Sequence, residues 1–482
     1  MRYIIGLDEG TTSARSVLFD TKTNKIVATA NQKFKQYFPK PGWVEQNPKD
    51  IAKAQFATLK QVLTGINPKD VIGIGITNQR ETVIAWNKKT GEPVYNAIVW
   101  QCRRTSRQIA NLSAHAKKVI KSKTGLIPDA YFSATKMKWI LDNVPGAKKL
   151  ADDGNLYFGN VNTYLAYLMT GEFVTDTTNA SRTMLFNINT LTWDEWLLNL
   201  FGIPASTLPK IVSCDHIVGK CKDFYDIPLC AMIGDQQSSL FGQSCVTAGS
   251  SKTTYGTGSF TLVNTGNKVV NEGKLLSTVA YTIGKTTHYA IEGSVYSACS
   301  AIEWLKNDLG LFESYDEIDF LARSLDSNDN VYFVPAFTGL GAPYWDSNAK
   351  TIIVGLTYGC SKAHIARGIL ESMAYNTKAI LDQLKGVKLN SLKVDGGGSK
   401  NVFLTQFLAD LTGKEVLLGA SSEATAMGAI YMAGVATGTY KLSDIKNMYK
   451  PEKLYKPALD PKLAKTYYNK WKKAVSLSLK GV

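Results

Sequence analysis

The chain of 482 residues is too long for one hydrophobic core, because domains typically hold about 100–200 residues, so two large domains or a few smaller ones are expected. Its net charge is +15, but the basic residues are scattered and no helix-turn-helix, RNP-type or zinc-finger pattern occurs, which argues against nucleic-acid binding. Seven cysteines without a C-x-x-C pair favour reduced thiols in the cytoplasm, and no apolar run reaches the ~18–20 residues that a membrane-spanning helix needs.

Strand-like and helical segments alternate along the first half of the chain. The predicted strands are Ile4–Leu7, Ser16–Phe19, Val71–Thr77, Val83–Trp86 and Ala97–Trp100. The predicted helices include Pro48–Leu63, Arg104–Val119 and Lys136–Asn143. Such alternation is typical of α/β proteins.

A loop rich in glycine and hydroxyl groups, from Asp8 to Ser13, joins the first two predicted strands. Glycine lets the backbone approach a ligand closely, and the backbone amides of such turns form concavities that bind anions. The Asp8 carboxylate at the end of the first strand can hold a divalent cation against phosphate groups. The loop therefore predicts a phosphate-binding hairpin.

Two dense polar segments follow later apolar strands. In the first, Thr77–Thr82, the adjacent Arg80 and Glu81 suit neighbouring hydroxyl groups as donor and acceptor, although a polar turn with a surface ion pair is also consistent. In the second, Trp100–Thr105, Trp100 is either a core residue or a flat apolar wall beside a polyol.

Asp235 stands at a predicted turn from strand to helix, after an apolar run and Gly234. One interpretation is a helix N-cap, which is a common role for aspartate. The other is a base that takes a proton from an attacking hydroxyl during phosphoryl transfer.

The second half shows the same alternation of strands and helices as the first, and the predicted boundary between the two halves lies near residues 243–248. The predicted strands are Thr253–Thr254, Phe260–Asn264, Thr287–Glu292, Val331–Pro335 and Leu392–Asp395. The predicted helices are Ala298–Leu309, Ala363–Leu384, Asn401–Leu411 and the lysine-rich, amphipathic Lys462–Ser478. A second hairpin loop, Tyr255–Ser259, resembles the first, so the pair predicts a nucleoside triphosphate held between two domains. The glycine-rich turn of Val394–Asn401 adds a candidate phosphate or nucleoside site at a helix start.

These motifs and their flanks resemble the glycerol kinases of the FGGY carbohydrate-kinase family from residue 3 to Val475. The matching segments are Pro39–Glu45, Ile76–Thr82, Tyr95–Thr105, Thr178–Met184, Gly234–Gln237, Thr254–Gly258 and Pro335–Trp345. The resemblance implies two ribonuclease-H-like α/β domains of the actin, Hsp70 and hexokinase type, residues 1–245 and 246–482, with ATP in the cleft. It also implies transfer of phosphate from ATP to glycerol, with Mg2+, in a homodimer or homotetramer that neither binds nucleic acid nor inserts into membranes.

The same resemblance assigns roles to individual residues. Glycerol contacts are implied for Arg80, Glu81, Trp100, Tyr131, Asp235, Gln236 and Phe260, with Asp235 as the general base. Phosphate and nucleoside contacts are implied for Thr11, Thr12, Ser13, Arg15, Thr257, Gly397 and Asn401. Magnesium contacts are implied for Asp8 and Asp235.

Some positions depart from the family pattern. Glu9 replaces a usual glutamine, which adds a carboxyl group beside the phosphates, while Cys299 and Glu303 replace glycine and glutamine near the adenine. The segment Gly219–Asp226 lacks the glycine/arginine loop used for inhibition by fructose bisphosphate, and Asp223 stands where some members carry a phosphorylatable histidine. Neither mode of regulation is expected.

Three alternatives stay open from sequence. A related kinase of this family acting on another triol or a short sugar would give a different acceptor preference. An actin- or Hsp70-like ATPase module would hydrolyse nucleotide without an acceptor. A nucleic-acid-binding protein would show an affinity for DNA that falls steeply with salt.

Overall fold

The computed structural model describes residues 2–271, 273–420 and 423–480, so the outer ends of the two predicted domains, Met1 and Val482, lie outside the described residues. The first half contains β1 (Tyr3–Glu9), β2 (Ser13–Asp20), β3 (Lys25–Lys33), β4 (Gln36–Tyr37), β5 (Glu45–Gln46), α1 (Pro48–Leu63), β6 (Val71–Asn78), β7 (Ile84–Asn87), β8 (Ala97–Ile98), α2 (Ser106–Ala110), α3 (Ala114–Thr124), α4 (Ser133–Asn143), α5 (Ala147–Asp152), β9 (Leu156–Gly159), α6 (Val161–Thr170), β10 (Val174–Asp176), α7 (Thr177–Ala180), β11 (Phe186–Asn187), β12 (Thr192–Trp193), α8 (Glu195–Phe201), β13 (Lys210–Val212), β14 (Gly219–Cys221), β15 (Ile227–Gly234) and α9 (Asp235–Gly242).

The second half contains β16 (Ser250–Tyr255), β17 (Ser259–Gly266), β18 (Leu276–Ile283), β19 (Thr286–Val295), α10 (Cys299–Asn307), α11 (Tyr315–Arg323), β20 (Tyr332–Val334), β21 (Ile352–Val354), α12 (Lys362–Leu381), β22 (Ser391–Asp395), α13 (Val402–Thr412), β23 (Val416–Gly419), α14 (Ala424–Ala436), α15 (Leu442–Lys446), β24 (Pro451–Tyr455) and α16 (Pro461–Ser478).

Each half is built around a mixed sheet of the same design. In the first sheet the order is β14-β15-β6-β1-β2-β3, where β1, β2 and β3 are antiparallel neighbours and β6 and β15 run parallel to β1. In the second the order is β18-β19-β17-β16-β22-β23-β24, where β16, β17 and β19 are antiparallel and β22 and β23 run parallel to β16. The shared design confirms the prediction of two α/β domains, while the boundary at residues 245/246 stays a prediction.

Two helices cross between the sheets and fasten the halves together. α14, from the second half, packs on β1, β6 and β15 of the first sheet, while α9, from the first half, packs on α14 and on β16, β17 and β18. Glycines make room for this crossing: a Cβ atom on Gly428 would lie 1.9 Å from the Ser238 carbonyl oxygen, and one on Gly75 would lie 2.3 Å from that of Ala429. A close contact between these two helices therefore joins the two halves.

Two predicted elements of the first half are wrong in extent. The predicted helix Arg104–Val119 is two helices, because α2 ends at Ala110 and the Ser113 hydroxyl caps α3 by accepting from the Ala116 amide at 3.1 Å. The predicted strand Ala97–Trp100 is only β8, since the Trp100 amide turns to donate to Thr82 Oγ1 at 3.2 Å. The bounds of Pro48–Leu63 are confirmed.

The lysine-rich last helix, α16, packs one side against the second domain. Ala464, Tyr468, Trp471 and Val475 are buried at helical spacing, which confirms a packing helix with a solvated basic face. Within residues 2–271, 273–420 and 423–480, no helix has the length and apolar character that crossing a membrane requires.

Candidate active site

The two predicted hairpin loops form, and they meet at the cleft. In the first, Asp8 pairs with Arg15 across β1 and β2, and the Gly10 amide closes the turn on the Ser13 carbonyl at 2.9 Å. In the second, Tyr255 pairs with Ser259, and a Cβ atom on Gly258 would lie 2.4 Å from the Val295 carbonyl oxygen. That close approach requires glycine in the second turn.

A chamber of about 140 Å³ lies between these turns. All seven predicted polyol contacts line it: Arg80, Glu81, Trp100, Tyr131, Asp235, Gln236 and Phe260. The rest of the lining is Thr11 from the first hairpin and Thr254, Gly256, Thr257 and Gly258 from the second. Gly256 and Thr257 also line a cavity of about 890 Å³, whose walls include Gly397 and Asn401. The structure thus joins a small chamber to a large cavity through the second hairpin turn.

Aromatic rings form the apolar side of the chamber. The Trp100 ring centroid lies 5.7 Å from that of Tyr131 and 6.3 Å from that of Phe260, each in an edge-to-face arrangement. The Trp100 indole donates to Thr11 Oγ1 at 3.0 Å, which ties this wall to the first hairpin. A small carbon skeleton placed here would be covered by rings on more than one side.

A buried network of charges fixes the polar side. Arg80 Nη1 and Nη2 bind the two oxygens of Glu292 at 2.6 and 2.9 Å, and Arg80 Nε lies 3.1 Å from Asp235 Oδ1. Arg182 bridges the carboxylates, with Nη2 at 3.0 Å from Glu292 and Nε at 2.6 Å from Glu81. Burial would raise the pKa of Glu292, but the two arginines outweigh it and lower the pKa to about 2.

Sequence reasoning missed Glu292 and did not single out Arg182. Glu292 belongs to β19 of the second sheet, whereas its arginine partners belong to the first half. A carboxylate inside the apolar strand segment Ala290–Gly293 was the available signal, because an unpaired charge is rarely buried in a strand. Its partners depend on how the halves dock, which the sequence does not show.

Asp235 is the first residue of α9 rather than its N-cap, which is Gly234. The Gly234 amide donates to Thr178 Oγ1 at 2.9 Å, and Asp235 Oδ1 accepts from the Gln236 amide at 2.6 Å. The Asp235 side chain keeps 28% of its surface exposed. Burial raises its pKa, an effect that Arg80 and Lys252 oppose. The carboxylate is therefore held by donors while it faces the chamber.

The remaining predicted phosphate residues stand apart from both cavities. Arg15 lines neither and pairs with Glu423 at the start of α14, with Nη1 at 2.6 Å from Oε2. Thr12 and Ser13 sit in the first hairpin turn without lining either cavity. Asp8 is partly exposed near the end of β1, and loss of hydration raises its pKa to about 7, with Arg15 opposing and Asp235 adding to the rise.

The three unusual positions divide between the sheet and the large cavity. Glu9 is buried, where Gln79 Nε2 donates to Oε1 at 3.2 Å, and burial raises its pKa well above the ordinary value. Cys299 and Glu303 line the large cavity, and Glu303 accepts hydrogen bonds from Asn307 and Tyr315. The carboxyl group of Glu9 is thus buried in the first sheet, next to the turn of the first hairpin.

Known proteins resemble this chain along nearly its whole length. Residues 3–242 match the N-terminal domain, and residues 251–437 the C-terminal domain, of the FGGY family of carbohydrate kinases. Glycerol kinases from Thermococcus onnurineus and Pseudothermotoga lettingae are 46% and 47% identical, with 99% of this chain and 98% of each relative covered.

Solved structures agree with the sequence relatives. A Plasmodium falciparum glycerol kinase with ADP superposes with a TM-score of 0.91 at 36% identity, covering 99% of this chain and 98% of that one. A ligand-bound xylulose kinase from Lactobacillus acidophilus gives 0.87 at 25% identity, with the same coverage. The chain therefore belongs to the FGGY family of carbohydrate kinases.

Proposed function

We propose that this protein transfers the terminal phosphoryl group of ATP to glycerol, giving sn-glycerol 3-phosphate, with Asp235 as the general base. The observation that carries this proposal is the small chamber with a carboxylate, an arginine and aromatic walls, opening toward a cavity of nucleotide size. The full-length likeness to glycerol kinases supports glycerol as the acceptor.

The chamber has polar side chains for the hydroxyl groups of a small triol and aromatic rings for its carbon atoms. Arg80 supplies donors and Glu81 supplies an acceptor for neighbouring hydroxyl groups. Glu81 has a φ of 61°, which a residue other than glycine rarely adopts, and Arg182 and Ser133 hold it there. The rings of Trp100 and Phe260 would cover the carbon atoms and exclude water, which competes as phosphoryl acceptor.

Asp235 would take the proton from the attacking hydroxyl group. Phosphoryl transfer depends mostly on positioning and on neutralising charge, with one base to orient the nucleophile. The contacts of Asp235 with Arg80 and the Gln236 amide fix its orientation before the acceptor arrives. Its raised pKa makes it a better proton acceptor than an exposed carboxylate would be.

The nucleotide would lie across the second hairpin. Gly397 and Asn401 line the large cavity and would contact the nucleoside, while Thr257 stands where the two cavities meet. The hydroxyls of Thr11, Thr12 and Ser13 would face the phosphates. Arg15 would join them only by exchanging its contact with Glu423 for a phosphate.

Magnesium would be held by Asp8 and Asp235. The Asp235 carboxylate raises the pKa of Asp8, so a divalent cation between the two would relieve this repulsion, which fits the ion. Within the described ranges no group of three or more acidic, histidine or cysteine side chains forms a metal cage, so water and phosphate oxygens would complete the coordination. When bound, the ion would neutralise charge on the transferring phosphate.

The assembly and location of the protein are also part of the proposal. We infer a cytoplasmic homodimer or homotetramer without nucleic-acid partners. All seven cysteines are free thiols, which supports a reducing compartment. Sedimentation velocity would give the oligomeric state directly.

The acceptor is tested with a panel of glycerol, xylulose and water, by measuring ADP formation from Mg-ATP. The wild type should use glycerol best, and Arg80→Lys should raise the KM for glycerol because lysine lacks the planar fork that binds two partners. The matched control is Arg107→Lys at an exposed position. Preferred use of xylulose would indicate another kinase of the family, and turnover independent of any acceptor would indicate an ATPase module.

A further inference from the structure

A third cavity of about 680 Å³ lies between the two halves, away from the candidate active site. The first half contributes Phe19 at the end of β2 and Lys25 at the start of β3, and the second half contributes α14 and residues 447–450. None of its lining residues lines the chamber or the large cavity described above. Glu423 also lines this cavity, and its role in the proposed reaction is limited to holding Arg15 until a phosphate replaces it.

Buried polar atoms without partners line this cavity. Gln243, 3% exposed at the end of α9, has neither its amide nitrogen nor its amide oxygen in a hydrogen bond. Asp395, 7% exposed, uses Oδ2 to accept from Ser239 at 2.6 Å but leaves Oδ1 without a partner. Because unsatisfied buried polar groups destabilise a fold, a group that donates and accepts is expected at this site.

The other lining residues indicate which kind of molecule carries this donating and accepting group. Phe19, Tyr431 and Tyr449 place aromatic rings along the cavity, which suits a flat ring. Lys25 and Lys450 are exposed at its edge and suit an anionic group. A carboxamide with both atoms open can pair with the amino and ring nitrogens of adenine. A carboxylate oxygen can accept from a ribose hydroxyl group.

We propose that this cavity is a second binding site, for a nucleoside monophosphate, with Gln243 and Asp395 contacting the base and ribose and the lysines contacting the phosphate. The site is separate from the catalytic one and does not rest on the identity of the acceptor. A ligand of this kind contacts both halves of the molecule at once.

The proposal is tested by titrating AMP into the full-length protein by calorimetry. Wild type should bind AMP, and Gln243→Leu should bind it at least tenfold more weakly, because leucine keeps the volume and removes both open atoms. Gln243→Leu should keep the wild-type KM for ATP, which separates this site from the catalytic one. The matched control is Gln61→Leu, at an exposed position of α1, which should bind AMP as the wild type does.

Crystals soaked in AMP give the second readout. Density for a nucleotide against Gln243 and Asp395 is expected. The proposal is overturned if AMP does not bind, if Gln243→Leu binds it as tightly as the wild type, or if only water occupies the open atoms in the soaked crystals.

Discussion

Glu292 brings a negative charge from the second sheet to two arginines of the first half. Glu292→Gln keeps the shape but leaves Arg80 and Arg182 with less counter-charge in a buried place. Breaking a buried ion pair in this way typically costs about 3–5 kcal/mol of unfolding free energy. Urea unfolding should show a loss of this size, together with a raised KM for glycerol, because Arg80 loses its orientation.

The matched control for that change is an exposed pair. Glu92 lies 2.6 Å from Lys49, and both side chains are more than half exposed. Glu92→Gln should cost less than about 1 kcal/mol, because water screens surface pairs. Equal losses in the two variants would show that the buried network does not hold the halves together.

The same residue predicts a pH dependence. The pKa of Glu292 is lowered by the arginines from 4.5 to about 2 in the folded protein. Its contribution to stability is therefore complete above pH 4.5 and is lost as the pH falls toward 2. The difference in unfolding free energy between the wild type and Glu292→Gln should shrink between pH 5 and pH 3, and a constant difference would contradict the assignment.

At the residue scale, the sequence predicted the residues that line the chamber better than the charged partners that hold them in place. Arg80 and Trp100 follow recognisable strands and were candidate polyol contacts from the residues themselves, whereas Phe260 was expected there through the family resemblance, and all three line the chamber. Glu292 lacked such a motif, because its role depends on partners more than a hundred residues away in the chain. The pairing of Arg15 with Glu423 was missed for the same reason.

At the scale of elements, the crossing of α9 and α14 depends on glycine. Gly428→Ala would place a Cβ atom 1.9 Å from the Ser238 carbonyl oxygen, so the helices would have to separate. Overpacking of this kind typically costs about 1–3 kcal/mol. Thermal unfolding should show a clearly lowered Tm for this variant.

The control for the helix crossing is a glycine with space around it. Gly359 is exposed, and the nearest atom to an added Cβ, Thr357 Oγ1, would be 3.8 Å away. Gly359→Ala should leave the Tm within a degree or two of the wild type, as surface changes usually do. A similar Tm for Gly428→Ala would mean that the helix contact is not tight.

Hairpins and amphipathic helices were predictable, whereas α14 was not. The turns at Gly10 and Gly256 and the caps of α1 are local signals, so their elements were placed correctly. α14 has buried residues around its whole circumference, because it lies between a sheet and another helix. It therefore lacks the one-sided apolar pattern by which a surface helix is recognised.

For the whole molecule, binding at the cleft should stabilise the docked halves. A ligand that binds only the folded protein adds about 2.7 kcal/mol at one hundred times its Kd. Glycerol at that concentration should raise the Tm. Ethylene glycol at the same concentration should not, since it lacks the third hydroxyl group. Equal shifts would indicate a general solvent effect in place of a specific site.

The architecture of two similar domains was predictable, but their docking was not. The two hairpin loops and the repeated alternation of elements indicated two α/β halves, and the shared sheet design confirms them. The exchange of α9 and α14 between the halves arises from long-range packing that no local pattern contains. The boundary near residue 245 accordingly stays a prediction.

The most direct test of the proposed reaction is the release of ADP from Mg-ATP, measured with and without glycerol. The wild type should release ADP only with glycerol, and Asp235→Asn should reduce this rate by orders of magnitude while remaining folded. Asp223→Asn, at an exposed position, is the matched control and should act as the wild type does. Release of ADP that ignores glycerol, or an Asp235→Asn variant as active as the wild type, would contradict the account.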